Sequence, residues 1–371
     1  MASHKDVTIE MVDLGSSDYM TVLATQLAGS ADLDIVTIKD IPGYANLINL
    51  DYLKPLNEVL TRDTGDFNGT IEQLTTDDGN FYAVPFRSDF WVLYYNKDLF
   101  DKAGVEYPSN DLTMEDYDAL ARQLTDTTYG SQVYGCHYHT WRSAVELFGI
   151  LDGKHSILDG NYDWMIPYYD MILSEEDDGV CQTYTDLSTE GLHYSAAFSN
   201  GNVAMMNMGS WFISTLISNL DSGEYDSSLC GNWGIASYPH PDGAEAGSTI
   251  ATITGLAVTS ASANKDAAFD FVNWVSGTEG AKVMASTGNF PAIMTDDVIN
   301  TIAGMAGFPT DESSKEALNI TNAYLEVPYA ENVSEINSIL DTYHTSIMNR
   351  EVTVEEGVAS MNEQVGKILN Q

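Results

Sequence analysis

Cationic residues are scarce in this 371-residue chain: 15 Lys and Arg stand against 55 Asp and Glu, a formal net charge of −40. A surface that negative repels phosphate backbones and anionic lipid, which argues against nucleic acid and membrane surfaces as partners. The bland meaning of the charge is a soluble, self-repelling surface, and specific cation binding is the narrower one. Cysteine is nearly absent; Cys136, Cys181 and Cys230 are far apart and match no metal-ligand spacing. One disulfide with a free thiol and three buried thiols both remain open. No run of 18 or more apolar residues occurs, so no helical span is expected. The chain also lacks a Ser-centred elbow, an HExxH string and a P-loop. Paired carboxylates of the glycosidase kind arise by chance among 55 acids and prove nothing. Neither an internal repeat nor a low-complexity segment is present. Met1 to Lys5 leads into Asp6 to Glu10 without an apolar h-region, so no export signal is read. If Met1 to Lys5 is a cloning remnant, a native signal has been removed.

What is present is enough chain for one large core or two, with an ordinary 44% of apolar residues. Val7 to Val12 alternates as a strand does, Ser16-Ser17-Asp18 caps a helix through Leu27, and Ile35 to Ile38 is a second apolar run. That order predicts a parallel pair with a right-handed crossover. Pro85 argues against an unbroken strand from Phe81 to Tyr95; two extended pieces meeting at Arg87-Ser88-Asp89 are expected instead. Asn96-Lys97-Asp98 opens a helix that Gly104 closes. Asp163 to Leu173 and Thr189 to Phe198 read as amphipathic helices, with Glu175-Glu176-Asp177-Asp178 an exposed acidic patch between them. Val203 to Met206 is a buried strand. Gly209 permits a tight turn before a helix beginning at Ser210. Trp233 to Pro239 reads as an edge-like strand, Thr252 to Val258 as a further one. Helices follow over 264–277, 333–349 and 354–369.

Val84-Pro85-Phe86 with Leu93-Tyr94-Tyr95-Asn96-Lys97-Asp98-Leu99-Phe100-Asp101-Lys102-Ala103-Gly104 resembles the hinge region of extracellular solute-binding protein family 1, the carbohydrate-binding components of ABC importers. Phe198 to Trp211, around Gly201-Asn202-Val203-Ala204-Met205, is similar to a second string of that family. So are Asn264 to Ala281 and the segment from Asp18 to Val36. The resemblance implies an α/β, two-lobed periplasmic-binding-protein-like fold (type II), each lobe a mixed sheet flanked by helices. Three crossings divide it into 1–88 plus 258–327 and 89–257 plus 328–371. Family members open with one more strand–helix unit, which this sequence lacks; truncation, a separate chain or an altered first lobe would each account for it. The implied function is capture of a carbohydrate, an oligosaccharide in particular, by hinge closure and delivery to ABC permease subunits. The implied protein is a monomer outside the cytoplasm, periplasmic or a cell-surface lipoprotein, with no catalysis, cofactor or metal.

A sugar presents hydroxyls at its rim and C–H faces above and below, so its site needs flat rings and planar hydrogen-bonding groups. With 21 Tyr, 12 Phe and 6 Trp, any one aromatic is more often core than ligand. Trp211, at the family's stacking position, ranks first. Tyr138, His139 and Trp141 come next, Trp141 being the one of the three expected in the core. Ser88, Asp89 and Phe90 face the cleft on the family pattern, Asp89 alternatively pairing with Arg87. Lys39, Asp40 and Tyr44 are the first-lobe candidates, with Asp40 alternatively a helix cap. Thr254 beside Gly255, Thr252, Asn332, Glu335 and Arg142 complete the set. The same fold around a polyamine, and a carbohydrate-active enzyme, are the rival readings.

Overall fold

The computed structural model describes residues 7–15, 18–29, 32–60, 62, 67, 70–128 and 132–370. Among the described residues seven strands form: β1 (Ile35–Ile38), β2 (Val84–Asn96), β3 (Tyr134–His137), β4 (Val203–Gly209), β5 (Trp233–Ser237), β6 (Thr249–Val258) and β7 (Ala323–Leu325). They fall into two hydrogen-bonded sets. In one, β6 pairs antiparallel with β1 and with Val84 to Phe90 of β2, and parallel with β7. In the other, Trp91 to Asn96 of β2 pairs antiparallel with β4 and β5, and β3 lies parallel to β4. Helices cover both sets, giving a mixed α/β protein of two lobes.

The single strand β2 carries the chain from one lobe to the other, and this corrects the expectation of two extended pieces. Pro85 is tolerated because the register against β6 shifts between Pro85 and Arg87, so the missing N–H falls at an irregularity rather than in a regular ladder. The partner changes between Phe90, opposite Ala251, and Trp91, opposite Gly209. Trp91 to Tyr95 is buried throughout, as its apolar run required. Asn96 then accepts from the N–H groups of Asp98 and Leu99, and Gly104 ends the helix Lys97–Ala103 at φ 69°.

The N-terminal expectation fails. Residues 7–12 form no strand, and Met11 is 89% exposed, so the alternation meets no apolar partner. β1 is instead antiparallel to β6. Asp18 precedes the helix Tyr19–Ala28 without a side-chain cap bond; Ser16 and Ser17 lie outside the described residues. The helix expected over 189–198 is two short ones, Tyr184–Glu190 and Tyr194–Ser199, because Gly191 turns left-handed at φ 61°. The exposed acidic patch is also corrected: the helix Ile166–Asp177 runs through it and buries Glu175 and Glu176. β5 is wholly buried, its outer side met by Ser314, whose Oγ accepts from the Ile235 N–H at 3.1 Å. All three cysteines are buried free thiols.

Candidate functional site

The partner change in β2 places Phe90 and Trp91 where the two lobes meet, and the second lobe lines that junction with rings. Trp91 is 3% exposed and acts as the backing. Trp211 packs edge-to-face on it at 5.5 Å between centroids, and Trp141 at 6.5 Å; Trp141 and Trp211 lie 6.4 Å apart. Tyr194 and His139 close the group, 5.6 and 4.5 Å from Trp141. Such contacts contribute about 0.5–1.5 kcal/mol each and fix ring orientation. Trp211 and Tyr194 stay half-buried and Trp141 is 38% exposed, so ring surface remains open.

Local sequence explains how Trp211 is held. Ser210 precedes the helix Trp211–Ser222 but does not cap it. Its Oγ accepts from the Phe90 N–H at 3.2 Å and donates to Asp89 Oδ1 at 2.8 Å. Gly209 has ordinary φ; its role is room, since an added Cβ would stand 2.1 Å from the Trp211 ring. The tight-turn expectation for Gly209 is therefore replaced by close approach of the indole.

Asp89 is the ion-pair partner of Arg87, Nε to Oδ2 at 2.6 Å, and is 3% exposed. Burial raises its pKa, opposed by the Arg87 charge and the Ser210 hydroxyl. Both oxygens are thus occupied within β2 and by Ser210, while the Arg87 side chain keeps 25% exposure and its charge is felt by the Tyr194 hydroxyl. Ser88 is half-buried, its N–H donating to Phe290 O at 3.2 Å. Phe90 is buried against Phe290, 4.8 Å away, and offers no open face.

The first-lobe side is polar. Asp40 caps the helix Ile41–Asn49, accepting from the Gly43 N–H at 2.7 Å, yet stays exposed. Surrounding protein still raises its pKa by desolvation. Lys39 is exposed next to it. Glu326, just after β7, accepts a hydrogen bond from Ser143, and its carboxyl is raised chiefly by burial, with the Asp40 charge adding. Thr254 is half-buried opposite Arg87.

Four candidates are placed elsewhere. Tyr44 has no exposed surface; its hydroxyl donates to Leu74 O and accepts from the Tyr82 N–H, both at 2.8 Å. Tyr138 is 6% exposed, so it and not Trp141 is the core member of that loop. Arg142 is 6% exposed and spends its guanidinium on Glu146, Asp341 and Asn337, locking the helix Ser143–Ile150 to the helix Val333–Met348. Glu335 is exposed in the first turn of the latter helix, with no placement at the ring group. Conversely, the structure brings Trp91 and Tyr194 into the ring group, Arg87 onto Asp89 and Glu326 onto Ser143, none of which the sequence singled out for the site. Trp91 was masked by a strand-like run, and nothing local marks Tyr194. A surface cavity of about 790 Å³ lies between the helix Ile166–Asp177 and the turn around Arg350, lined by acids and Arg350 without a single ring. Its chemistry does not suit a sugar.

Two lobes joined by the continuous strand β2, with rings lining their junction, are the architecture of a solute-binding protein. The chain belongs to the bacterial extracellular solute-binding protein family, whose sequence model matches residues 1–282. It is 24% identical to an arabinooligosaccharide-binding protein of Halalkalibacterium halodurans over 68% of this chain and 56% of that protein. It is 27% identical to a lactose-binding protein of Rhizobium radiobacter over 73% of this chain and 64% of that one. The chain thus spans less than two thirds of either curated relative. Among solved structures, a sugar transporter of Rhizobium etli in an open conformation is 47% identical, with a TM-score of 0.84 over 98% of this chain and 93% of that chain.

Proposed function

We propose that this chain captures a carbohydrate between its lobes outside the cytoplasmic membrane and presents it to ABC permease subunits, without altering it chemically. The observation that carries this reading is the group of Trp91, Trp141, Trp211 and Tyr194 at the lobe junction. Open indole surface suits the C–H faces of a pyranose, and Arg87, Asp40, Lys39 and Glu326 suit its rim hydroxyls. Likeness to proteins named for lactose, arabinooligosaccharide and sugar transport supports the same ligand class. Ligand contacts to both walls would favour the closed arrangement; a ligand held by one wall alone would shift nothing. We take Trp211, Trp141, His139, Asp40, Lys39, Ser88 and Thr254 as surviving site candidates, with Tyr194, Arg87 and Glu326 added.

Calorimetric titration against a panel of mono- and oligosaccharides, with spermidine as the cationic control, tests the reading. Saturable sugar binding that falls in a Trp211→Ala variant is expected. Binding of spermidine with silence across the sugars would assign the acidic rim to a polyamine instead.

A further inference from the structure

The second lobe holds a buried polar cluster that the ring group does not use. Cys136 lies on β3, Glu175 in the last turn of the helix Ile166–Asp177, and Cys181 in the loop beyond. Two sulfurs and a carboxylate oxygen lie within 4.8 Å of one another. Backbone contacts set this arrangement: the N–H groups of Gly135 and Cys136 both reach Val180 O, at 2.9 and 3.4 Å. Glu175 has no exposed surface, its carboxylate oxygens make no hydrogen bond of ordinary length, and the Tyr138 hydroxyl is the donor that faces them. The buried hydroxyls of Tyr117 and Tyr138, which face each other, Cys136 and Glu175, make no hydrogen bond of ordinary length either. Asp118 and Arg122 face the cluster from the helix Met114–Leu124, but Arg122 is already paired with Asp118 and Asp178 at 2.9 and 2.5 Å. A carboxylate in that setting costs several kcal/mol unless a proton or a cation joins it.

We propose that Cys136, Cys181 and Glu175 form a structural site for a thiophilic divalent cation, Zn²⁺ by the chemistry of the donors. Two thiolates and a carboxylate are a zinc donor set, and soft sulfur disfavours Mg²⁺ and Ca²⁺. Zn–S bonds of about 2.3 Å in a tetrahedron set the sulfurs about 3.8 Å apart, so the two sulfurs need to draw together by about 1 Å at most and the carboxylate oxygen only slightly more. Binding releases the two thiol protons and any proton on Glu175 to solvent. Three anionic ligands around a dication leave one negative charge, against the three that the same donors would carry without the cation. The tyrosine hydroxyls are the outer hydrogen-bonding partners such a site requires. The cation would tie β3 to the end of the helix Ile166–Asp177, independently of any solute in the cleft.

The test uses the full chain, reduced and stripped with a chelator, then titrated with Zn²⁺ alone against a chromogenic competitor, and separately with Co²⁺. One equivalent of Zn²⁺ is expected, with a raised Tm, and Co²⁺ should show thiolate charge-transfer and tetrahedral d–d bands. Those spectra need no variant, so poor folding of a mutant does not blunt the test. Cys136→Ser with Cys181→Ser should abolish uptake, and Glu175→Gln should weaken it at least tenfold. Absence of stoichiometric uptake by the reduced protein, or uptake unchanged in the double serine variant, overturns the proposal. So does a native mass 2 Da light with Cys136 and Cys181 blocked, which would make the pair a disulfide and leave Glu175 to a proton.

Discussion

The two walls of the lobe junction are built from opposite materials. The second lobe presents rings, Trp141, Trp211 and Tyr194 over Trp91, held edge-on by one another. Asp40 and Lys39 lie beyond β1 and Glu326 just after β7; burial raises the pKa of both acids, and we take the three as the polar side of the proposed site. Rings gain from contact with any apolar face, whereas hydrogen-bonding groups discriminate by position. Affinity should therefore reside mainly in the second lobe and selectivity in the first. A rigid ring wall also needs a rigid anchor, and the Asp89–Ser210 link and the Arg142 network supply it from within the second lobe and the hinge.

The largest effect should come from Arg142→Ala, which leaves Glu146 buried and unpaired. Both side chains are at most 4% exposed, and the expected loss is about 3–5 kcal/mol in chemical denaturation. Sugar affinity of the folded fraction should stay unchanged; a specific affinity loss would return Arg142 to the site. Asp89→Ala should cost about 2–3 kcal/mol, less because Arg87 is 25% exposed, with weakened binding through the released Ser210 and Trp211. Unchanged stability would mean the hinge pair contributes little.

Acid should act on the second lobe next. Burial lowers His137 to about 4 and His139 and His344 to about 3. A depressed imidazole contributes stability above its unfolded pKa, about 6.5, and loses it as pH falls toward 4 to 3. The expected loss is about 1–2 kcal/mol per imidazole by pH 5, read from Tm against pH. His137→Gln should flatten that slope, and a slope insensitive to it would sink the attribution. The effect opposes Glu175, pushed up to about 8 by burial, which favours the folded state below 4.5 and weakens it as pH rises toward 8.

Trp211→Ala should lower sugar affinity by about tenfold, near 1–2 kcal/mol, measured by calorimetry. Gly209→Ala should reproduce part of that loss without touching a ligand group, because its Cβ would meet the indole at 2.1 Å. Wild-type affinity in both variants would place the ring wall outside the site. Glu335→Gln is the smallest case, with no change expected in binding or stability, given its exposed position in a first helical turn.

Much of the frame was readable from local signals. Asn96 and Gly104 announced a helix start and stop, and both do that work in space. Trp91 to Tyr95 announced a strand buried on both faces, and the string ending in Gly209-Ser210-Trp211 announced a ring at the start of a helix. Other residues misled for one shared reason. Val7 to Val12 alternates correctly but meets no sheet, and Glu175-Glu176 looks solvated but lies on the inner side of a helix. Tyr138 and Trp141 are three positions apart, and Tyr138 is the buried one and Trp141 the exposed one, the reverse of the expected burial.

By itself the sequence determined most of the elements, several of their caps and the kinship, because these depend on neighbours within a few residues and on short strings. Tertiary structure alone decided which rings stay open, which acids find a cation, and that Cys136 and Cys181 meet. Those outcomes rest on desolvation by partners many residues away: Ser210 beside Asp89, Asp341 beside Arg142, Val180 against Gly135. No local pattern encodes that distance.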